Sequence, residues 1–177
     1  MARGFLLFTA YCACIPAANW LIGHVGTVCV PQGPCLIPVA PGLMAPSGVL
    51  MVGVALVLRD LVQRCVGASV ALGAILTGTG LSALLASPSL ALASAVSFLV
   101  SEALDFAVYT PLQRKRLVWA VALSSVAGAV ADSVLFVGLA FGSLDYVAGQ
   151  ILGKCWAVLL MLPLIVGLRR RDAKLLS

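Results

Sequence analysis

The sequence predicts an all-α, polytopic membrane protein with six transmembrane helices, and three observations carry that prediction. Hydrophobic residues make up 62% of the 177 and charged residues only 10%, with a mean hydropathy of +1.14. An ordinary soluble domain is about 25% charged, so this chain has too few polar side chains to coat a water-facing surface. Apolar stretches of roughly 20 residues, enough to cross about 30 Å of hydrocarbon, recur along the chain. The basic residues, finally, gather at the ends of alternate stretches.

The first span is expected over 5–22. "MARGFLLFTAYCACIPAANWLIGH" has one Arg and then an apolar run that continues past Pro16 to Leu21. That is longer than the core of a secretory signal, so the segment reads as a retained span. A loop follows, because five of the nine prolines lie between Val30 and Gly48. The second span, 47–63, ends in "LRDLVQRCVG", and the third, 66–86, stops at "ASPS". The fourth covers 88–110, the fifth 117–141 and the sixth 146–168, before "RRRDAK". Residues 1–177 read as a single integral membrane domain, without repeats or a soluble module.

Charge tests this count independently. With six spans and the N-terminus inside, Arg3, Arg59, Arg64, Arg114, Lys115, Arg116, Arg169, Arg170, Arg171 and Lys174 all lie on the cytoplasmic side, ten of the eleven Lys and Arg residues. The positive-inside rule asks for that distribution and places a multi-pass protein in the plasma (inner) membrane with both termini cytoplasmic. Arg59, Asp60 and Arg64 are then boundary residues whose charges snorkel to the headgroups.

The net charge of +5 does not point to nucleic acid, since the basic residues form no binding stripe. Headgroup contact and topology explain them, with the lipid bilayer as partner. Cys12, Cys14, Cys65 and Cys155 lie in or beside apolar segments and read as small packing residues. Cys29 and Cys35 flank the Pro/Gly loop and can pair where that loop faces an oxidising compartment. No HExxH, GxSxG or P-loop occurs, no spacing resembles a metal site, and the chain has a single His. An enzyme is disfavoured, and no cofactor or metal is expected.

Four charged residues lie where a span should be apolar: Glu102, Asp105, Asp132 and Lys154. A charge near the bilayer centre costs at least about 2.5–3.5 kcal/mol, so it normally faces a partner or a watery cavity. Three acids against one base cannot all neutralise each other. An acid is either protonated, matched by a loop or interfacial Arg, or awaiting a ligand. At about 100° per residue, Ser94, Ser97, Ser101, Glu102, Asp105 and Tyr109 fall within an arc of roughly 140° on the fourth helix. Ser124, Ser125, Gly128 and Asp132 occupy about 100° of the fifth, and Gln150 and Lys154 are one turn apart on the sixth. Three successive helices thus carry polar stripes, which a bundle would turn inward around a cleft. Ordinary packing competes with this. Serines in membrane helices usually bond their own backbone or a neighbouring helix, Gly149-x-x-x-Gly153 suits close packing, and Lys154 can be a structural partner of Asp132 or Asp105. Asn19 is placed to reach the cleft.

The blocks "LRDLVQRCVG", "SEALDFAVYTPLQRKR", "SSVAGAVADSVLFVGLAF" and "GQILGKCWAVLLMLPL" resemble the VUT family of vitamin uptake transporters, which includes queuosine precursor transporters. The resemblance covers about residues 43–168. It implies a six-helix fold similar to the substrate-binding subunits of energy-coupling-factor transporters, and import of 7-cyano-7-deazaguanine or 7-aminomethyl-7-deazaguanine. It carries the helix-four acids onto Glu102 and Asp105, the helix-five acid onto Asp132 and the helix-six base onto Lys154. Chemically, a carboxylate can accept the paired N1–H and amine donors of such a ring. Lys154 or Gln150 can donate to its carbonyl, Ser101 lies on the same face, and Trp156 or Tyr109 can stack. A proton-coupled or energy-coupling-factor-type carrier of another vitamin-like solute is the alternative. A homodimer and a separate energising subunit both stay open.

Overall fold

The computed structural model describes residues 2–31, 33–86, 90–142 and 144–175, and leaves the side chains of Ala2 and residues 168–175 undescribed. Most of the expected "ASPS" turn and the C-terminal basic side chains therefore lie outside the described residues. Six helices form: α1 Ala2–His24, α2 Val49–Val66, α3 Ala68–Leu85, α4 Ala91–Leu112, α5 Leu117–Phe141 and α6 Val147–Leu175. Five of them are long and apolar enough to cross a membrane. The exception is α2, whose 18 residues include Arg59, Asp60 and Arg64. It is tolerated as the central helix: α2 packs against each of the other five, and its run from Ala55 to Gln63 is buried without a break.

This corrects the expectation for Arg59 and Asp60. They are not boundary residues reaching for headgroups, since both are 0% exposed and lie midway along the central helix. Snorkelling needs a path to water, and α2 has other helices on all sides.

Local chemistry sets the helix ends. Gly67, at φ +97°, turns the chain from α2 into α3 in one residue, and its N–H bonds the Gln63 carbonyl at 2.9 Å. Gly142, at φ +65°, closes α5 with its N–H on Gly138. A side chain at either φ would be strained, which is why glycine ends these helices.

The Pro/Gly segment is not a plain loop. It forms a three-stranded antiparallel sheet of β1 Val28–Cys29, β2 Cys35–Ala40 and β3 Leu43–Pro46. Pro41 and Gly42 make the β2–β3 turn, with Gly42 at φ +72°, the conformation that a Pro-Gly turn supplies. The register shifts between Pro38 and Ala40, an irregularity suited to a strand containing a residue with no N–H to donate. Cys29 and Cys35 face each other across β1 and β2 and are disulfide-bonded.

The sheet caps one end of the bundle. Trp156 Nε1 donates to the Val39 carbonyl at 3.2 Å, and Ser47 Oγ donates to the Leu21 carbonyl at 2.7 Å. Gly149 of α6 lies so close to the Met44 carbonyl that no Cβ would fit, and Gly153 makes room for Val49 and Val39. The Gly149-x-x-x-Gly153 spacing therefore serves packing, of α6 against the sheet and α2. Away from the cap, Val57, Leu61, Tyr109, Val121, Val158 and Ile165 form an apolar core of α2, α4, α5 and α6.

Even crossing number makes a prediction. A reporter fused at Gly42 should lie on the opposite side of the membrane from reporters at Lys115 and after the last helix. A C-terminal reporter on the Gly42 side would require an odd number of crossings and remove one helix, α2 first, from the bilayer.

Candidate functional site

At the capped end the helices diverge around a cavity of about 660 Å³, counted with its open mouth. Asn19 of α1, Ser82 of α3, and Ser94 and Ser97 of α4 contribute polar atoms to its wall. Asp132 of α5 and Gln150 and Lys154 of α6 form the most polar part. Phe98 and Phe136 supply aromatic surface, and Pro46 of β3 brings the cap to the rim. An apolar chamber with a few convergent polar groups is the usual form of a small-molecule site.

Lys154 is the fixed point of that polar corner. Its ammonium donates to Asp132 Oδ2 at 2.5 Å, Ser133 Oγ at 2.7 Å and Gln150 Oε1 at 3.0 Å. An ammonium has three protons to give, and all three are used. Lys154 is 1% exposed, whereas the Asp132 side chain keeps 10% of its surface open. The base is therefore sealed, and the carboxylate is the charged group available to the cavity. Gly53 makes this possible, because a Cβ there would stand 2.7 Å from Ala157 Cβ and 2.8 Å from the Lys154 carbonyl.

A second polar cluster lies one turn deeper. Ala55 and Phe98 line the cavity, and four residues further along their helices are Arg59 and Glu102. The Arg59 guanidinium pairs with three carboxylates: Nη1 with Asp60 Oδ1 at 2.7 Å, Nε with Glu102 Oε2 at 2.9 Å, and Nη2 with Asp105 Oδ1 at 2.8 Å. Nη1 also donates to Gln63 Oε1 at 3.3 Å, and Gln63 donates in turn to Thr110 Oγ1. Ser124 Oγ donates to Asp60 Oδ2 at 2.9 Å, which brings in α5. The rings of Phe106 and Tyr109 each lie 5.9 Å from the guanidinium carbon. Arg59, Asp60 and Asp105 are 0% exposed, and Glu102 is 1%. Gly128 permits this packing, because a Cβ there would come within 3.1 Å of Asp105 Cβ and of Leu56.

The residues singled out in the sequence thus divide. Asp132, Gln150 and Lys154 meet at the cavity, and Lys154 takes Asp132 rather than Asp105 as its partner. Glu102 and Asp105 belong to the Arg59 cluster beneath it. Ser101 is buried, donates to the Phe98 carbonyl and does not line the cavity. Neither aromatic chosen for stacking is there: Tyr109 is buried beside Arg59, and Trp156 is 47% exposed and tied to the sheet. Within the stripes Ser97, Ser101 and Ser124 bond carbonyls of their own helix, as Ser133 beside them does. Sequence reasoning missed Arg59 and Asp60 as members of a buried cluster, and Phe98 and Phe136 as cavity walls. A signal existed for the first pair: both lie near the middle of a span, more than a turn from the basic boundary at Arg64.

These two clusters predict opposite outcomes for similar substitutions. Arg59→Met leaves three buried acids without their base and should cost roughly 3–5 kcal/mol, and Arg59→Lys should not rescue it, because one ammonium cannot replace a three-way fork. Lys154→Met should also destabilise, but adding Asp132→Asn should recover most of the loss by removing the stranded charge. Thermal unfolding midpoints of the purified protein in detergent measure both. A Lys154→Met single variant as stable as the double variant would show that the pair contributes no structural coupling.

No curated protein and no solved structure matches the chain. A family model described as putative vitamin uptake transporter does match, over residues 82–168. The matched stretch holds α4, α5 and most of α6, with Glu102, Asp105, Asp132, Gln150 and Lys154. Residues 82–168 of this multi-pass membrane protein are thus similar to the putative vitamin uptake transporter family.

Proposed function

We propose that the protein imports a 7-deazaguanine, either 7-cyano-7-deazaguanine or 7-aminomethyl-7-deazaguanine, across the inner membrane, and that the capped cavity is where the solute binds. The observation that carries this reading is the pairing of one accessible carboxylate, Asp132, with an adjacent amide, Gln150, in a cavity walled by Phe98 and Phe136. The ring offers N1–H and an exocyclic amine side by side, the donor pair a carboxylate accepts with two parallel bonds. Its carbonyl is an acceptor for the Gln150 amide. Phe98 and Phe136 offer apolar surface to a flat heteroaromatic ring. Lys154 acts through Asp132, holding the carboxylate in position. The mouth beneath the sheet faces the periplasmic side in this reading, because the basic residues Arg64 and 114–116 lie at the other end.

Asp132→Asn should weaken uptake on the order of tenfold to a hundredfold, the equivalent of a charge-assisted hydrogen bond of roughly 1.5–3 kcal/mol. Phe136→Ala should also weaken it. The Lys154→Met, Asp132→Asn double variant should remain inactive despite its recovered stability. The measurement is uptake of labelled 7-cyano-7-deazaguanine by cells unable to synthesise it, normalised to protein in the membrane. Normal uptake by Asp132→Asn would remove the carboxylate from solute recognition.

A further inference from the structure

Among the described residues, the buried charges do not balance. Asp60, Glu102, Asp105 and Asp132 are four acids, and Arg59 and Lys154 are two bases. Lys154 and Asp132 account for each other. Arg59 alone faces the remaining three, which leaves that cluster two negative charges in excess if every carboxyl is ionised. Uncompensated charge at low dielectric is too costly to persist at a buried site.

Geometry says where the compensation belongs. The carboxyl groups of Asp60 and Asp105, from α2 and α4, take the two terminal nitrogens, Nη1 and Nη2, of the one Arg59 guanidinium. Oδ2 of Asp105 is fully buried and no described side chain donates to it, while its Oδ1 faces Arg59. A carboxylate oxygen with no donor beside a second carboxyl lacks one thing, a hydrogen, and no metal is plausible next to a guanidinium. The surrounding charged and titratable groups are Arg59 and Arg64 from α2 and Glu102 and Tyr109 from α4. Tyr11 of α1 and Asp132 of α5 act on Glu102 from the cavity side, and Lys154 of α6 is sealed against Asp132. The Tyr11 and Tyr109 hydroxyls are themselves buried without a hydrogen-bond partner, and none of these groups donates to Asp105 Oδ2.

We propose that Asp60 and Asp105 form a proton-binding site that shares one of the two protons this cluster needs for neutrality in the closed arrangement, and releases it to water when α2, α4 and α5 part during transport. The step is a simple protonation: water supplies the proton, an O–H bond forms on one carboxyl, and the second carboxyl accepts from it. The site lies one turn beneath the cavity floor, so any solute passing through the bundle must separate the helices that bury it. Solute movement and proton release are then one motion. The coupling part of this inference rests on the transporter reading of the cavity; the presence of the proton does not.

Two measurements on the full chain test it. Infrared spectra of the purified protein at neutral pH should show a protonated-carboxyl stretch that shifts in deuterium oxide, loses intensity in Asp60→Asn and in Asp105→Asn, and survives in Glu102→Gln. Two aspartate variants are used so that one folding poorly still leaves a decisive comparison. Absence of the band from the native protein, or its undiminished intensity in a folded aspartate variant, overturns the site. In proteoliposomes, an inward proton gradient should raise accumulation of labelled 7-cyano-7-deazaguanine about tenfold per unit of pH difference at one proton per solute. Asp60→Asn should abolish that rise. Accumulation by the native protein that ignores the gradient overturns the coupling. A native protein that carries none of this solute sinks the solute assignment, and the infrared result still decides the proton.

Discussion

The Arg59 guanidinium is the constraint on which the rest of the bundle depends. It meets Asp60 on its own helix and Glu102 and Asp105 on α4, and through Asp60 it reaches Ser124 on α5. A planar fork with five donors can serve carboxylates in three directions, which a point charge cannot. In hydrocarbon the alternative to this arrangement is a buried charge with no partner, so the fork fixes the rotation of α2 and α4 about their axes. Apolar packing alone would specify that rotation poorly, since most side chains of both helices are apolar. Desolvating such a group is expensive, and its benefit is specificity of register more than net stability.

Glycine lets the charged groups sit so close to neighbouring backbone. Gly53 admits the Lys154 backbone, Gly128 admits Asp105, and Gly149 and Gly153 admit the sheet and α2. In a membrane, small residues at helix contacts replace the hydrophobic driving force that water supplies elsewhere. Here they also determine where space remains. The helices meet around the Arg59 cluster below the cavity, while Phe98, Phe136 and Pro46 of the sheet line the space above it.

Much of this was legible in the sequence, and the parts that were not have physical causes. The six helices follow from apolar run length, and the family resembled by the four polar blocks is the one whose model matches residues 82–168. The polar stripes of α4, α5 and α6 do turn inward. The stripes do not reveal depth, however, and a few ångströms along α4 separate Ser97 at the cavity from Asp105 beneath it. Arg59 was misplaced because the positive-inside pattern treats each base as a marker of the membrane surface, which fails for a base whose countercharges lie on another helix. The imbalance of three acids against one base already required a missing partner, and an arginine was among the solutions it allowed. The sheet was hidden by its prolines, which argue against a strand unless the turn and the register irregularity that accommodate them are also recognised.

The position of Arg59 in α2 has a consequence for how the chain is made. Its carboxylate partner Glu102 lies 43 residues downstream, so α2 leaves the ribosome well before its countercharges on α4 exist. At that moment α2 is a short, weakly apolar segment bearing two bases and one acid, a poor candidate for release into lipid on its own. It must linger at the translocation channel or against α1 until α4 arrives, and only then can the two helices enter the bilayer as a neutralised pair. On this account the order of synthesis and the order of membrane integration are expected to differ, with the fourth helix, not the second, setting the moment of commitment.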